Sequence, residues 1–261
     1  MSLKFISFAS GSSGNCSLVF TENTAILIDA GITLRRLQDE LKKLNLTIND
    51  VGGIVVTHEH SDHVKNLCLF SKYIPVYCHP YTHIEIFNKY NDVDKLAIVE
   101  DYMEGFTIGD IDVKPFETPH DANYPLGYSF VSQGKKFSLA TDMGVIQDNV
   151  FEAIKDSDVI LLESNHDVKM LKSGPYPQWL KNRVIGKRGH LSNTDCARFA
   201  CMIKKENPNL KELILGHISK ENNIPMLALE TVKSALSKDG LLGDTIISVA
   251  LQGESTRIYN V

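Results

Sequence analysis

No stretch of this chain is long and apolar enough to span a membrane as a helix, so a helical membrane protein is not expected. The N-terminus lacks the basic-then-apolar plan of a signal peptide, and Lys4-Phe5-Ile6-Ser7-Phe8 reads as a strand instead. Cysteine is scarce and odd in number: Cys16, Cys68, Cys78, Cys196 and Cys201, with no C-x-x-C pair. That count excludes a disulfide framework and suits a reduced, cytoplasmic protein whose thiols act as small apolar side chains. A basic excess is also missing, since 27 Lys and Arg face 32 Asp and Glu for a net charge of −5. Whole-molecule charge therefore gives no general attraction to nucleic acid, and binding of that kind would need a local patch. Linkers rich in Pro, Ser or Gly, internal repeats and low-complexity segments are absent too, so residues 1–261 are expected to form one domain.

What is present is an ordinary globular composition, 43% hydrophobic and 23% charged over 261 residues. Such a chain buries enough surface to fold without a structural staple, so any metal it holds is expected to serve chemistry. Apolar β-rich runs separated by Gly, Ser and Asn turns occupy 4–9, 16–20 and 25–29. Leu34, Leu37, Leu41 and Leu44 then follow helical spacing. A buried strand is expected over 53–57, a helix over 64–73 and a strand over 76–78. The middle reads as strands at 111–116, 127–131 and 136–140, with a turn at Gln133-Gly134. Alternation returns with strands at 159–162, 213–215 and 245–249 and helices at 194–205 and 226–236. The pattern points to an α/β domain of two sheets flanked by helices.

The chemistry concentrates in His58-Glu59-His60-Ser61-Asp62-His63, three His and one Asp in six residues. His58 and His60 are two apart, so in extended chain they face the same side. Asp62 and His63 fall where the chain turns into a helix, which aims them differently. Imidazole with carboxylate is a ligand set for zinc, manganese or iron. His120, Asp142 and His217 each lie just beyond an apolar strand, so all can converge on one sheet edge. Taken singly each is an ordinary loop residue; together with 58–63 they make a metal-ligand series.

That ordered series, His58-x-His60-x-Asp62-His63 followed by His120, Asp142 and His217, resembles the metal motifs of the metallo-β-lactamase fold superfamily over essentially the whole chain. The resemblance implies a four-layer αββα sandwich with the site at one edge. It implies two divalent metal ions, one held by His58, His60 and His120, the other by Asp62, His63 and His217, with Asp142 between them. It also implies that Asp29, in Leu27-Ile28-Asp29-Ala30-Gly31, orients a ligand histidine by hydrogen bond; a plain strand-end turn is the other reading of this Asp.

A second stretch sets the chain apart from a lactamase. Lys181, Arg183, Lys187 and Arg188 place four cations in eight positions, just before Gly189-His190-Leu191-Ser192-Asn193 and a helix start. Backbone N–H groups at a helix start and nearby cations suit a phosphate, while a solvated basic face is the plainer reading. Lys187, Arg188 and Ser192 are the candidates for phosphate contact. So are Asn165 and His166, for which a satisfied polar loop is an equal alternative. The Gly-rich loop of Ser12, Ser13 and Asn15 either lines the site or forms a simple hairpin turn. His79 and His83 are read as structural.

With Ser10-Gly11-Ser12-Ser13-Gly14-Asn15, Glu163-Ser164-Asn165-His166-Asp167, Gly189-His190-Leu191-Ser192-Asn193 and Leu215-Gly216-His217-Ile218-Ser219-Lys220-Glu221-Asn222-Asn223, the sequence resembles the WalJ/YycJ-type branch of the superfamily. That resemblance implies a metal-dependent phosphodiester hydrolase, a DNA exonuclease using a metal-bridging hydroxide, with DNA favoured over RNA as substrate. By likeness to RNase Z, His190 would donate the leaving-group proton and Glu163 would hold it, with Asp62 also at the catalytic centre. A small-molecule cyclic phosphodiesterase or a thioester hydrolase on the same fold is the competing expectation, and a DNA enzyme should show the stronger salt dependence.

Overall fold

Alternation of side chains along the strands sets the layering. In the computed structural model, which describes residues 2–90 and 93–261, neighbouring residues of one strand enter different cores. Five early strands, β1 (Lys4–Ala9), β2 (Cys16–Phe20), β3 (Ala25–Ile28), β4 (Gly53–Val55) and β5 (Val76–Tyr77), build the first sheet. The helices among and after them are α1 (Leu34–Lys43), α2 (Ser61–Val64), α3 (Leu67–Phe70) and α4 (Pro80–Tyr90). The second sheet begins with β6 (Phe106–Ile108), β7 (Ile111–Glu117), β8 (Leu126–Ser132) and β9 (Lys135–Ala140). After α5 (Asp148–Ile154) come β10 (Val159–Glu163), α6 (Val168–Ser173), α7 (Gln178–Ile185) and α8 (Asn193–Glu206). Then β11 (Glu212–Gly216), α9 (Pro225–Lys238) and β12 (Ile246–Val249) complete the second sheet, and β13 (Tyr259–Asn260) returns to the first.

The first sheet has the order β13-β1-β2-β3-β4-β5 and the second β12-β11-β10-β9-β8-β7-β6. Phe5, Ile26, Ile28, Val159, Leu161 and Ile214 meet in a core between the sheets, where the Phe5 and Phe137 rings stack 4.0 Å apart. Their strand neighbours Ile6 and Leu27 turn outward beneath the α1 side, with Leu37 and Leu41. Ile160, Leu162, Leu213 and Leu215 turn outward instead against residues of α5, α8 and α9 such as Val150, Phe199 and Val232. Two sheets buried on both faces, each covered by helices, make the expected αββα sandwich. Every fully buried Leu, Ile, Val or Phe contributes roughly 1.5–3 kcal/mol relative to exposure.

The sequence expectations for β1 and β2 match residue for residue, and α1 runs over Leu34, Leu37 and Leu41, with Leu44 as its C-cap. Its start is fixed by Thr33, whose side chain accepts from the Arg36 N–H, a cap of about 1 kcal/mol. The helix expected over 64–73 is instead two single turns, α2 and α3. The break has a reason: Ala30 N–H donates to the His63 carbonyl and Asn66 N–H to the Ala30 carbonyl, tying this segment to the end of β3 rather than to itself.

What the topology delivers is one edge. β9, β10 and β11 are parallel, β7 runs with them, and β3 and β4 are parallel in the other sheet. The C-terminal ends of all six therefore carry the residues that follow them: Asp29, 57–63, His120, Asp142, Glu163 and His217.

Candidate metal centre

At that edge the ring nitrogens of His58, His60 and His120 lie within 4.8 Å of one another, and the ligand atoms of Asp62, His63 and His217 do the same. Asp142 stands between the trios. Its Oδ2 is 3.5 Å from His63 Nε2, and its Oδ1 is 3.5 Å from His217 Nδ1 and 3.8 Å from His120 Nε2.

Four of the five ligand rings are held by one nitrogen, which commits the other, while His60 Nδ1 meets His120 Nε2 at 3.3 Å. His63 Nδ1 meets Asp29 Oδ2 at 2.7 Å, and Asp29 Oδ1 accepts from Thr57 N–H at 2.8 Å. His120 Nδ1 is 3.0 Å from the Gly189 carbonyl, His58 Nδ1 3.0 Å from Thr57 Oγ1, and His217 Nδ1 3.0 Å from Glu163 Oε1. Such outer partners fix the ring plane and the tautomer that a metal ligand needs. The opposite atoms, His58 Nε2 and His217 Nε2, are buried without a hydrogen-bond partner among the described residues, as is Asp142 Oδ2. Buried polar atoms without partners are rare because each costs its full desolvation, so three at one place mark a site built for something else to bind.

Electrostatics say what that is. Burial alone would strip the protons from His63 and His217. The carboxylates of Asp29, Asp62 and Asp142 override it for His63, raising its pKa well above the ordinary value, and those of Asp142, Asp62 and Glu163 hold His217 at about 10. Burial likewise opposes ionisation of Asp62, but His63 and His217 keep its carboxyl ionised far below the usual range. His58 goes the other way, well below the usual histidine value, first through burial and then through the charges of His63 and His120. Clustered carboxylates and imidazoles with lone pairs aimed inward fit divalent cations, and the donor set of nitrogen and oxygen fits zinc, manganese or iron.

The backbone is strained at the same edge. Asp29, Asp142 and His217 have φ of 62°, 59° and 52°, the left-handed region that non-glycine residues seldom adopt. Each turns the chain sharply at a strand end, and such strain is kept where surrounding contacts over-determine it. Glycine permits the close approach nearby: a Cβ on Gly31 would lie 1.9 Å from the Asp62 carbonyl oxygen.

Beside the trios stands His190. Its Nδ1 is 2.7 Å from Glu163 Oε1, and its ring centroid is 5.1 Å from the rings of both His120 and His217. Glu163 is wholly buried, and its Oε2 accepts from the N–H groups of Met143 and Leu191. One carboxylate thus orients His217 and His190 together.

The residues expected at a phosphate fare differently. Arg188 donates to the carbonyls of His120 and Ala122, so its guanidinium braces the His120 loop. Ser192 is the N-cap of α8, accepting from Asp195 N–H and donating to the Asp195 carboxylate, and so closes the helix start against an anion. Asn165 is buried and donates to the His217 carbonyl at 2.9 Å. Arg183 forms a two-point pair with Asp121, and Lys181 donates to the Lys172 carbonyl. Of that basic stretch Lys187 is exposed and makes no hydrogen bond or ion pair among the described residues. His166 is buried with Nδ1 unpartnered, and burial lowers its pKa to about 4.

Two positioning residues, Thr57 and Glu59, escaped the sequence reading, and Asn15, expected either to line the site or to sit in a hairpin turn, lines it. Thr57 connects Asp29 to two rings. Asn15 donates to Asp62 Oδ2 at 3.1 Å and lies 3.0 Å from His63 Nε2, while Ser12 and Ser13 of its loop are exposed. Glu59 accepts from Asn123 N–H and steadies the segment beyond His120.

Comparison with known proteins agrees with the geometry. A family model described as the beta-lactamase superfamily domain matches residues 24–218. The protein named Exodeoxyribonuclease YycJ of Bacillus anthracis is 40% identical over 248 residues, covering 92% of this chain and 91% of its own. Exodeoxyribonuclease WalJ of Streptococcus pneumoniae is 38% identical over 244 residues, covering 91% and 90%. Among solved structures, the metallo-beta-lactamase fold protein YhfI of Bacillus subtilis superposes with a TM-score of 0.72 at 15% identity, covering 97% of this chain and 99% of its own. With its sandwich fold and its His and Asp cluster, this chain belongs to the beta-lactamase superfamily and, within it, to the YycJ/WalJ family of metal-dependent hydrolases.

Proposed function

We propose that the protein is a DNA exonuclease that hydrolyses phosphodiester bonds with two divalent metal ions. The observation that carries this is the pair of His and Asp trios sharing Asp142, with His190 beside both. His58, His60 and His120 would hold one ion, Asp62, His63 and His217 the other, and Asp142 would contact both. Zinc, manganese or iron would suit these donors. Ions bound there lower the pKa of water and neutralise charge on phosphoryl oxygens.

The remaining work falls to the chain. Asp29 and Glu163 hold His63 and His217 in register. His190, oriented by Glu163, gives a proton to the departing alkoxide, a step for which a positioned acid contributes typically 10²–10⁴-fold. Asp62, both ligand and neighbour of the reacting centre, completes the catalytic set with His190 and Glu163. Among the described residues of 181–188, Lys187 is left as a cation for a phosphate, and His166 is a buried neutral ring. DNA as substrate is supported by the names of the two relatives, and one domain over 1–261 by ligands drawn from both sheets. Five cysteines outside any disulfide, four of them buried, support a reducing compartment such as the cytoplasm. Among the described residues no helix is long and apolar enough to cross a membrane.

One observation favours a second reading. Arg183, Arg188 and Lys181 are spent on protein partners, so 181–188 is not a strip of free cations, and a small diester needs none. A panel decides: labelled single- and double-stranded DNA and RNA, and bis-p-nitrophenyl phosphate, each with zinc, manganese and iron. The DNA reading expects DNA ends to be cut with rates that fall steeply as salt rises. Hydrolysis confined to the small diester would contradict it.

A further inference from the structure

Exposed aromatic surface gathered at one place usually marks a binding role, and a group of rings next to the metal centre has no part in the chemistry above. His79 and Tyr124 stack with centroids 3.6 Å apart and planes 8° apart. Tyr81 lies 5.3 Å from His79 and 6.0 Å from Tyr124, tilted against both, and is 56% exposed. The rings are set in advance. Tyr124 donates its hydroxyl hydrogen to Glu117 at 2.8 Å. The Tyr81 backbone is pinned at both ends, its N–H donating to His79 Nδ1 and its carbonyl accepting from Asn123.

Against Tyr124 of this group opens a cavity of about 350 Å³, lined also by Asn123, Pro119, His120, Gln147 and Glu117. His120 belongs equally to the first metal trio, so the cavity adjoins the metal centre. Its chemistry does not suit a second phosphate. The acid in it is Glu117, and the guanidinium of Arg188, on the same wall, is turned to the carbonyls of His120 and Ala122. Burial holds the His79 pKa below the ordinary histidine value, so its ring is neutral near pH 7. Flat neutral rings beside the amides of Asn123 and Gln147 suit the face and edge of a nucleobase.

We infer that His79, Tyr81 and Tyr124 form a stacking platform for an unpaired nucleobase next to the scissile phosphate, so that the enzyme acts on single-stranded or frayed ends. The inference rests on the reading of DNA as substrate. A base still paired in a duplex has no free face to offer, whereas any unpaired base has one, so the platform selects strand state and tolerates sequence.

The test uses the metal-loaded full chain and two single-stranded DNA oligonucleotides, one intact and one abasic at the terminal nucleotide, with each end tried in turn. The quantity read is the ratio of kcat/KM for intact over abasic substrate. The parent should prefer the intact end about tenfold at the end it attacks. Tyr81→Ala and Tyr124→Ala should bring the ratio near one, and Tyr81→Phe and Tyr124→Phe should restore it. Tyr81 is exposed enough that its alanine variant tests the point even if Tyr124→Ala fails to fold. A parent that cuts both oligonucleotides equally, or alanine variants that keep the parent ratio, would overturn the platform alone. A parent that hydrolyses bis-p-nitrophenyl phosphate but cuts neither oligonucleotide would overturn the DNA reading and the platform with it.

Discussion

Glu163 shows how much a single side chain decides in this protein. One oxygen lies 2.7 Å from His190 and 3.0 Å from His217, and the other is held by two backbone N–H groups. Glu163→Gln keeps the volume and removes the charge, so both rings should lose their orientation together. It is expected to lower kcat by about 10²-fold or more and to weaken metal binding by roughly 10–100-fold. His190→Ala should separate the two effects: kcat falls by a similar factor while metal content stays at the parent level. Metal analysis beside steady-state rates reads both, and a His190→Ala protein with parent kcat would remove it from the chemistry. At this scale the sequence disclosed the ligand types, because three His and one Asp crowd into 58–63 and His120, Asp142 and His217 complete the series past apolar strands. It did not disclose the partners of Arg183, Arg188 and Ser192. A cation reads the same in sequence whether it faces a phosphate or a carbonyl brought close by folding.

Among elements, the strand ends matter more than the strands. β3, β9 and β11 are followed by Asp29, Asp142 and His217 in left-handed conformation, and each corner is held by its neighbours. His217 N–H donates to Ser10 Oγ, Asp29 accepts from Thr57, and Gly31 N–H donates to the Asn15 carbonyl. Gly31→Ala would force a methyl against the Asp62 carbonyl, an overpacking that costs about 1–3 kcal/mol. Because Asp62 must move, metal affinity is expected to fall further than stability; calorimetric titration beside thermal unfolding compares the two. Parent-like affinity in a folded Gly31→Ala protein would show that the Asp62 loop tolerates the shift. All the strands but the short β6 and β13 were legible as apolar runs, and α1, α8 and α9 as amphipathic or apolar helices. The helices α4 to α7 were not, because they are short or carry exposed apolar residues such as Tyr81, Ile84 and Phe87 that blur the period.

For the whole molecule, the sandwich brings two acid-rich half-sites together and leaves their charge to be neutralised. In the metal-free protein a proton on His217 does part of this. Its pKa of about 10 lies above the unfolded value near 6.5, so that stabilisation is fully present below pH 6.5 and is lost as pH rises through 10. A metal ion needs the same lone pair, so affinity should rise with pH across this window and loading at pH 8 should release protons. Calorimetry in two buffers of different ionisation enthalpy measures that release, and equal heats in both would contradict it. Two sheets flanked by helices and the ligand series were readable because both are written in apolar periodicity and local spacing, while the four-layer αββα order came with the family resemblance. The ring platform was not, since His79, Tyr81 and Tyr124 meet only once β5, α4 and the loop after β7 are folded together. The central claim, that two ions held at one edge by His58, His60, Asp62, His63, His120, Asp142 and His217 hydrolyse DNA, is tested most directly by one titration. Metal-stripped protein is reloaded stepwise, and cleavage of end-labelled DNA is followed against bound metal per chain. The account predicts no cleavage without metal and a plateau at two ions per chain; full activity in the stripped protein, or a plateau at one ion, would contradict it.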